Sequence, residues 1–153
     1  MTAPLAEEFE TASSAETEAL GERLAQQIAP PQILILRGDL GAGKTTLVKG
    51  IAAALAAADP DEVTSPTFTL VHEYAGALHG RRVRLFHLDL YRLESERQLA
   101  TLGLEEMATE DSIVLVEWGE KFRSIQELAD GEIAIAIVGG DRRRITLTLN
   151  SRL

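Results

Sequence analysis

Residues 38–45 of this chain read Gly-Asp-Leu-Gly-Ala-Gly-Lys-Thr and match the pattern G-x-x-x-x-G-K-[ST] of a phosphate-binding loop. The glycines let the backbone approach an anion closely, and successive main-chain N–H groups then point toward that anion. We expect the ammonium of Lys44 to lie between the outer phosphates of a nucleotide, and the hydroxyl of Thr45 to bind Mg²⁺. We also expect Lys44 to face solvent when no ligand is present.

The loop lies between an apolar run and a helical pattern. Residues 33–36 are Ile-Leu-Ile-Leu, which predicts a buried strand, and residues 47, 48, 51 and 55 are apolar at helical spacing. A strand, a glycine loop and a helix in this order form an anion site, because the first N–H groups of the helix are available to a phosphate. The context therefore favours a phosphate loop over a glycine-rich turn with a chance lysine.

Two acidic residues are candidates for the metal side of this site. Glu117 follows the apolar residues 113–116, and Asp89 ends a second strand pattern that Arg84 and His87 interrupt. Ligands of open α/β sheets bind at the carboxyl ends of the strands, where both acids are expected. One acid could hold Mg²⁺ while the other orients the attacking water, and we favour Glu117 on the metal. With Lys44 they are the candidate catalytic residues, although either acid could instead be a surface carboxylate that ends a strand.

Other polar and aromatic residues each have two interpretations. Ser65 and Thr67 lie on a proline-constrained segment, where they could sense the outer phosphate or simply begin a strand. Trp118 is the only tryptophan and could cover the site or fill the core, of which we favour the core.

The histidines and the last arginine cluster are predicted to have ordinary roles. The three histidines, at positions 72, 79 and 87, lack the spacing of metal ligands, so each is expected to be structural or exposed. The run Arg142-Arg143-Arg144 is expected to form the solvated side of a hairpin, with contact to a nucleotide or to an acidic partner as the alternative.

The composition is that of an ordinary globular protein of one domain, residues 1–153, with 45% hydrophobic residues. The absence of cysteine excludes disulfides and cysteine-based zinc sites and suits a reducing cytoplasm. A net charge of −9 disfavours direct binding to a nucleic-acid backbone. The first twenty residues carry five glutamates and no lysine or arginine, unlike a signal peptide, and the apolar runs are too short to span a membrane.

The predicted elements alternate between strands and helices, which indicates an α/β fold. We expect a P-loop NTPase-like three-layer sandwich with a mixed, mainly parallel central sheet and antiparallel edge strands. Strands are predicted at residues 7–11, 33–37, 63–74, 82–90, 113–116, 132–138 and 144–149, with a hairpin loop at 76–80 and a turn at 59–61. Helices are predicted from a capping box at 13–16 to the prolines at 30–31, and at 44–58, 94–108 with a break near 103, and 121–129.

Taken together, these segments resemble the TsaE (YjeE) family of small bacterial ATPases. The matching segments are, in chain order, GDLGAGKTT at 38–46, SPTFTLV at 65–71, HLDLYRL at 87–93, LEE at 104–106 and VEW at 116–118. Many ATPases share the loop, whereas the S-P-T-[FY]-T, D-L-Y-R and V-E-W segments are far more specific. Their order and spacing extend the resemblance over nearly the whole chain.

This resemblance implies a role in making threonylcarbamoyladenosine, the modified base beside the anticodon in tRNAs that read codons beginning with A. It implies an ATPase that uses ATP and Mg²⁺, is slow alone, and resets the complex of the transferase TsaD with its partner TsaB, so that tRNA is met only indirectly. By the same resemblance Thr45 and Glu117 bind Mg²⁺, with Asp89 close by. The nucleotide-binding residues that it implies are Thr11, Gly41, Ala42, Gly43, Lys44, Thr45 and Thr46.

Three other functions share a phosphate loop. A small-metabolite kinase would need an acceptor pocket and a lid of arginines, for which the candidates are Arg81, Arg82, Arg92 and Arg97. A GTP-driven switch would need an N-K-x-D motif, and the only asparagine is Asn150. A nucleotide-binding subunit without hydrolysis predicts binding of ATP and no turnover even when partners are added.

Overall fold

The computed structural model describes residues 5–57, 62–66 and 70–150. The strands in this part of the chain are β1 (Leu5–Thr11), β2 (Gln32–Arg37), β3 (Val71–Leu78), β4 (Arg81–Asp89), β5 (Ser112–Glu117), β6 (Gly131–Gly139) and β7 (Arg142–Leu149). The helices are α1 (Ser14–Leu24), α2 (Lys44–Ala54), α3 (Glu96–Ala100), α4 (Leu104–Met107) and α5 (Arg123–Leu128), and a 3₁₀ turn covers Gly119–Lys121.

One seven-stranded sheet organises the molecule, with the strand order β1-β7-β6-β2-β5-β4-β3. The four strands β6, β2, β5 and β4 are parallel to their neighbours within this group. The outer strands pair antiparallel, β3 with β4 and the β1–β7 pair with β6. The expected mixed α/β sheet, parallel near the loop and antiparallel at its edges, is thus confirmed.

Helices cover both faces of the sheet because successive strand residues point to opposite sides. Leu34 and Leu36 of β2 pack with α1 and α2, whereas Ile33 and Ile35 pack with α3, α4 and α5. All six residues of β5 are buried, as expected for a strand that is covered on both faces. None of the helices in the described part of the chain has the length and apolar character needed to cross a membrane.

Both long helices end earlier than expected. The Ser13 hydroxyl caps α1 by accepting the N–H of Glu16 at 3.1 Å, but the helix ends at Leu24 and not at the prolines. Beyond Leu24 the N–H groups of Gln26 and Gln27 make i→i−3 bonds, which tighten the chain, while Ile28 remains buried. The second helix, α2, ends at Ala54, and residue 58 lies outside the described residues.

The first hairpin also differs from its prediction. Residues 63–66 are not a strand, β3 begins at Val71, and the turn expected at 59–61 lies outside the described residues. Gly76 lies within β3, and His79-Gly80 forms the turn with positive φ at both positions. A side chain at Gly76 would collide with the Leu55 carbonyl oxygen, so this glycine permits a close approach of chain segments and does not mark a loop.

Candidate functional site

The phosphate loop connects β2 to α2 at the carboxyl edge of the parallel strands. Gly41 and Gly43 have φ of +78° and +110°, values that side chains strongly disfavour. Gly43 is also the N-terminal cap of α2 and supplies no side chain, so the first N–H groups of the helix stay available to an anion. The structure therefore places a loop of the predicted shape in the predicted context.

Lys44 is buried, contrary to the expectation that it faces solvent. Its ammonium donates to the Gly38 carbonyl oxygen at 2.7 Å and lies 3.5 Å from Oε1 of Glu117. It also lies 4.6 Å from the ring centroid of Trp118, within range of a cation–π interaction. Only 6% of the residue is exposed, because these partners enclose the ammonium when no phosphate is bound.

Asp89 and Glu117 meet at the end of neighbouring parallel strands. They are paired in the register of β4 with β5, and their exposed fractions are 4% and 3%. Oδ1 of Asp89 accepts the N–H of Tyr91 at 2.9 Å. Both strand patterns thus deliver a carboxylate to the edge of the sheet beside the loop, and neither carboxylate lies at the surface.

His87 belongs to the same cluster, and its place there was not predicted. Its Nε2 lies 2.5 Å from Oε2 of Glu117, its side chain is fully buried, and its Nδ1 has no hydrogen-bond partner among the described residues. The signal in the sequence is its position two residues before Asp89, which puts both side chains on the face of β4 that carries the site. His87 thus fixes one oxygen of Glu117 while Lys44 approaches the other.

A cavity of about 530 Å³ opens above the loop between these groups. Its lining residues are Leu40, Gly41, Gly43, Lys44, Thr45, Thr46, Ser65, Asp89, Tyr91, Glu117 and Trp118. Ser65 therefore lies beside the predicted phosphate position, whereas Thr67 is outside the described residues. Most of the predicted site residues, from four separate segments, surround one space.

Trp118 lies at this cavity and only partly in the core, which revises the preference for the core. It stacks at a tilt on the half-exposed Tyr91, with ring centroids 5.3 Å apart, and it also contacts the core between the sheet and α5. Its backbone has φ of +63°, which turns the chain sharply directly after Glu117. Tyr91 was not predicted as a site residue.

Thr11 and Ala42 do not line this cavity. Thr11 is buried with its hydroxyl 2.7 Å from that of Thr17, and it borders a separate cavity of about 360 Å³ between the β1–α1 connection and β7. Arg143 borders that cavity and also a small one behind the loop, which Ala42 lines. Thr11, expected to bind the nucleotide, therefore lies on the other side of the phosphate loop from Glu117.

Arg143 braces the loop and is not on the solvated side of the hairpin. Its Nε donates to the carbonyl oxygen of Ala42 at 2.8 Å, and its Nη1 donates to that of Gly140 at 2.7 Å. Its neighbours Arg142 and Arg144 are exposed, as expected. The guanidinium thus joins the last hairpin to the phosphate loop.

The arginines proposed for a kinase lid do not all surround the site. Arg81 and Arg82 begin β4, whereas Asp89 ends it, which separates them by about 25 Å at the usual rise of a strand. Among the described residues, no arginine lines the cavity above the loop.

The donors around the cavity fit magnesium. Among the described residues, no three His, Asp or Glu side chains form a metal site by themselves. Mg²⁺ usually takes one or two carboxylates, and phosphates and water supply its other ligands. The Thr45 hydroxyl and the carboxylates of Glu117 and Asp89 line one space next to the loop, so the chemistry of these donors suits that mode.

Comparisons with known proteins agree on one family. The family model described as threonylcarbamoyl adenosine biosynthesis protein TsaE matches residues 11–145. The tRNA threonylcarbamoyladenosine biosynthesis protein TsaE of Bacillus subtilis is 37% identical over 140 residues, 92% of this chain and 84% of that protein. The protein of the same name from Aquifex aeolicus is 38% identical over 121 residues, 79% of this chain and 83% of that protein. The crystal structure of Bacillus subtilis YdiB superposes with a TM-score of 0.71 at 31% identity, covering 99% of this chain and 90% of that chain.

Proposed function

This chain belongs to the TsaE family of tRNA threonylcarbamoyladenosine biosynthesis proteins, and from that premise we propose that it is a Mg²⁺-dependent ATPase that binds and resets the TsaD–TsaB transferase complex. The observation that carries the proposal is the convergence of Lys44, Asp89 and Glu117 on one cavity above the phosphate loop. Each of these groups is buried and comes from a different strand end or helix start. Such an arrangement stabilises a transferring phosphoryl group by position and charge, with little covalent chemistry from the protein.

The proposal assigns the phosphates to the main-chain N–H groups of residues 41–46. Lys44 leaves the Gly38 carbonyl and Oε1 of Glu117 and donates to the outer phosphates. The N–H groups at the start of α2 add the partial positive charge of a helix N-terminus. The nucleoside then lies toward Thr11, on the side of the loop that Arg143 borders.

The metal-side groups have separate roles in this proposal. Thr45 and Glu117 would hold Mg²⁺, which offsets the charge of the phosphates when bound. His87 keeps Oε2 of Glu117, so Oε1 is the oxygen left for the metal once Lys44 has moved. Asp89 lines the same cavity, in which the attacking water would lie, and its Oδ1 accepts a main-chain N–H. Either acid could activate the water, and Asp89 is the one we assign to it.

Slow turnover without partners follows from the charge around the cavity. Lys44 is the only cationic side chain among the described residues that line it, and no arginine does. An arginine supplied by a partner commonly accelerates phosphoryl transfer about 10³-fold or more, so a partner is the expected source of the missing charge. The TsaD–TsaB complex is the partner we propose.

Steady-state hydrolysis of ATP tests this function. The isolated protein is expected to turn over slowly, and the addition of purified TsaD–TsaB complex to accelerate it. Turnover of many ATP per second without partners would contradict the partner requirement. Phosphorylation of glucose, a nucleoside or shikimate would support a small-metabolite kinase instead, and ATP binding without turnover in the complete mixture would indicate a non-hydrolysing subunit.

Replacing Glu117 by Gln tests the metal assignment. The substitution keeps the size of the side chain and removes its charge, so the Mg²⁺ dependence of activity should change more than the affinity for nucleotide without Mg²⁺. Glu132→Gln is the matched control, because Glu132 lies on β6 and pairs with Arg37 away from the cavity. A large loss of nucleotide binding in the absence of Mg²⁺ would give Glu117 a structural role.

A further inference from the structure

The ammonium of Lys121 donates hydrogen bonds to three main-chain carbonyl oxygens of another segment. Its Nζ lies 3.3 Å from the carbonyl oxygen of Leu90, 2.9 Å from that of Tyr91 and 2.8 Å from that of Leu93. An ammonium has three N–H donors and these three acceptors match them. The lysine belongs to the 3₁₀ turn after Trp118, so these bonds join the chain that follows β5 to the chain that follows β4.

The segment 90–93 is a turn outside the strands and helices, closed by a hydrogen bond from the Leu93 N–H to the Leu90 carbonyl oxygen at 3.0 Å. Leu90 and Leu93 are buried in the core between the sheet and α3–α5, while Tyr91 is half-exposed at the cavity. The Leu90 N–H donates to the carbonyl oxygen of Glu117 at 3.0 Å, which is a second bond between the two strand ends. Lys121 therefore adds its three donated bonds to the turn hydrogen bond and to the bond with Glu117.

The same segment contacts the metal-side groups directly. The N–H of Tyr91 donates to Oδ1 of Asp89 at 2.9 Å, and the ring of Tyr91 stacks on Trp118. Trp118 in turn packs against the ammonium of Lys44. A shift of residue 91 would therefore reach Asp89 through a hydrogen bond, and Lys44 through two ring contacts.

We infer that Lys121 is a positioning residue for the Mg²⁺–nucleotide site: its three bonds hold residues 90–93 so that Asp89 and the Tyr91–Trp118 pair stay in place. This inference rests on the proposed function, because it assumes that Asp89 lies at a magnesium site. Lys121 itself does not line the cavity and touches no reacting group. Its effect is expected mainly on the metal side, because the segment bonds Asp89 directly, whereas it reaches Lys44 only through two ring contacts.

A second lysine away from the cavity provides a matched control for substitutions of Lys121. The sequence contains three lysines, Lys44, Lys49 and Lys121, so Lys49→Met makes the same chemical change on the half-buried part of α2. Lys121→Met keeps the length of the side chain and removes its donors, whereas Lys121→Arg keeps charge and donors. Trp118 is the only tryptophan, so its emission reports on this region alone.

The experiment titrates Mg²⁺ into each variant with ADP present and follows Trp118 emission. Lys121→Met should raise the Mg²⁺ concentration at half-saturation by about tenfold, as losses in the groups that orient metal ligands commonly do. Its affinity for ADP without Mg²⁺ should match that of Lys49→Met. Acrylamide should quench Trp118 more strongly in Lys121→Met, and Lys121→Arg should recover part of both effects.

The other possible results decide against either the inference or the proposed function. A wild-type Mg²⁺ midpoint and wild-type quenching in Lys121→Met overturn the inference. Equal losses of ADP binding with and without Mg²⁺, together with a lower Tm, indicate a merely structural lysine and also overturn it. If the wild-type protein itself binds neither ADP nor Mg²⁺, the proposed function fails, and the quenching comparison still decides whether Lys121 holds the Tyr91–Trp118 pair.

Discussion

Replacing Lys44 by Ala should destabilise the fold as well as abolish phosphate binding. A lysine in a ligand-binding loop is usually considered a surface group, and surface substitutions change stability by about 0.5 kcal/mol or less. Here only 7% of the side chain is exposed, and it pairs with Glu117, whose side chain is 5% exposed. The substitution therefore removes one partner of a buried ion pair.

The size of the effect follows from what Lys44 contacts. A hydrogen bond from a charged donor contributes about 1.5–3 kcal/mol, and the bond to the Gly38 carbonyl is of this kind at 2.7 Å. Breaking a buried ion pair by removing one partner costs about 3–5 kcal/mol, but here His87 still bonds Glu117, and the cost of burying the ammonium is relieved. We expect a net loss of about 2 kcal/mol, which corresponds to roughly 4–8 °C in Tm for a chain of this length.

Circular dichroism during thermal and urea unfolding measures this loss without nucleotide. The signal at the helical band is preferable to Trp118 emission, because Trp118 contacts Lys44 in the folded state. Lys49→Ala is the control, since Lys49 is half-buried on the same helix and is expected to change stability by about 0.5 kcal/mol or less.

A double substitution distinguishes the loss of the Lys44–Glu117 ion pair from the effect of the cavity that alanine leaves. Lys44→Ala with Glu117→Gln should be less destabilised than the sum of the two single variants, because no uncompensated carboxylate remains; contacting residues commonly show couplings of about 0.5–3 kcal/mol. Equal stability of Lys44→Ala and Lys49→Ala would refute the reasoning, as would strict additivity in the double variant.

Three further substitutions test separate features. Gly50→Ala should cost about 2 kcal/mol or more in stability, because a Cβ there would collide with the Glu18 carbonyl of α1; an unchanged Tm would contradict this packing. Arg143→Met should weaken nucleotide binding by about tenfold in calorimetric titration, since Arg143 braces the loop by a charged hydrogen bond to the Ala42 carbonyl, and wild-type affinity would contradict that role. Ser124→Ala should raise the pKa of Glu96, which hydrogen bonds from Ser124 now hold below its ordinary value. A folded pKa below the ordinary value of 4.5 adds stability above that value, and this stability is lost as pH falls through the folded pKa. The variant should therefore lose part of this pH dependence, because the main-chain N–H of residue 124 still donates to Glu96, and an unchanged carboxyl NMR titration would contradict it.

The central parallel strands could be predicted because the sequence patterns that specify them are local. An apolar run before the glycine loop and another before Glu117 each specify a buried strand, and parallel strands deliver their carboxyl ends to one edge. Asp89 followed by the same logic, even though two polar residues interrupt its strand. Once β4 and β5 are neighbours in the sheet, their register pairs Asp89 with Glu117, so strand order is the only non-local feature needed to bring the two acids together.

What could not be predicted depends on contacts between distant segments. Glycine at position 76 is typical of a turn, yet here it is required by the close approach of another segment. A side chain at Gly76 would collide with the Leu55 carbonyl oxygen, and its Cβ would lie 2.9 Å from that of Ala57. The burial of Lys44 depends on Glu117 and Trp118, more than seventy residues later in the chain. A motif specifies the lysine and its neighbours in sequence, but the partners that enclose it come from the tertiary fold.

The contacts that Lys44 and Glu117 make in the absence of ligand should also couple the binding of nucleotide to the binding of Mg²⁺. Lys44, Glu117 and His87 form a buried chain in which Glu117 contacts the ammonium through one oxygen and the imidazole through the other. In the proposed function a phosphate draws Lys44 away, which leaves Oε1 of Glu117 without a cation, and Mg²⁺ is then the group that replaces it. Nucleotide without Mg²⁺ must leave a buried carboxylate uncompensated, while Mg²⁺ without nucleotide must compete with the ammonium for the same oxygen. Each ligand therefore raises the affinity for the other by the same factor, because binding free energies are reciprocal.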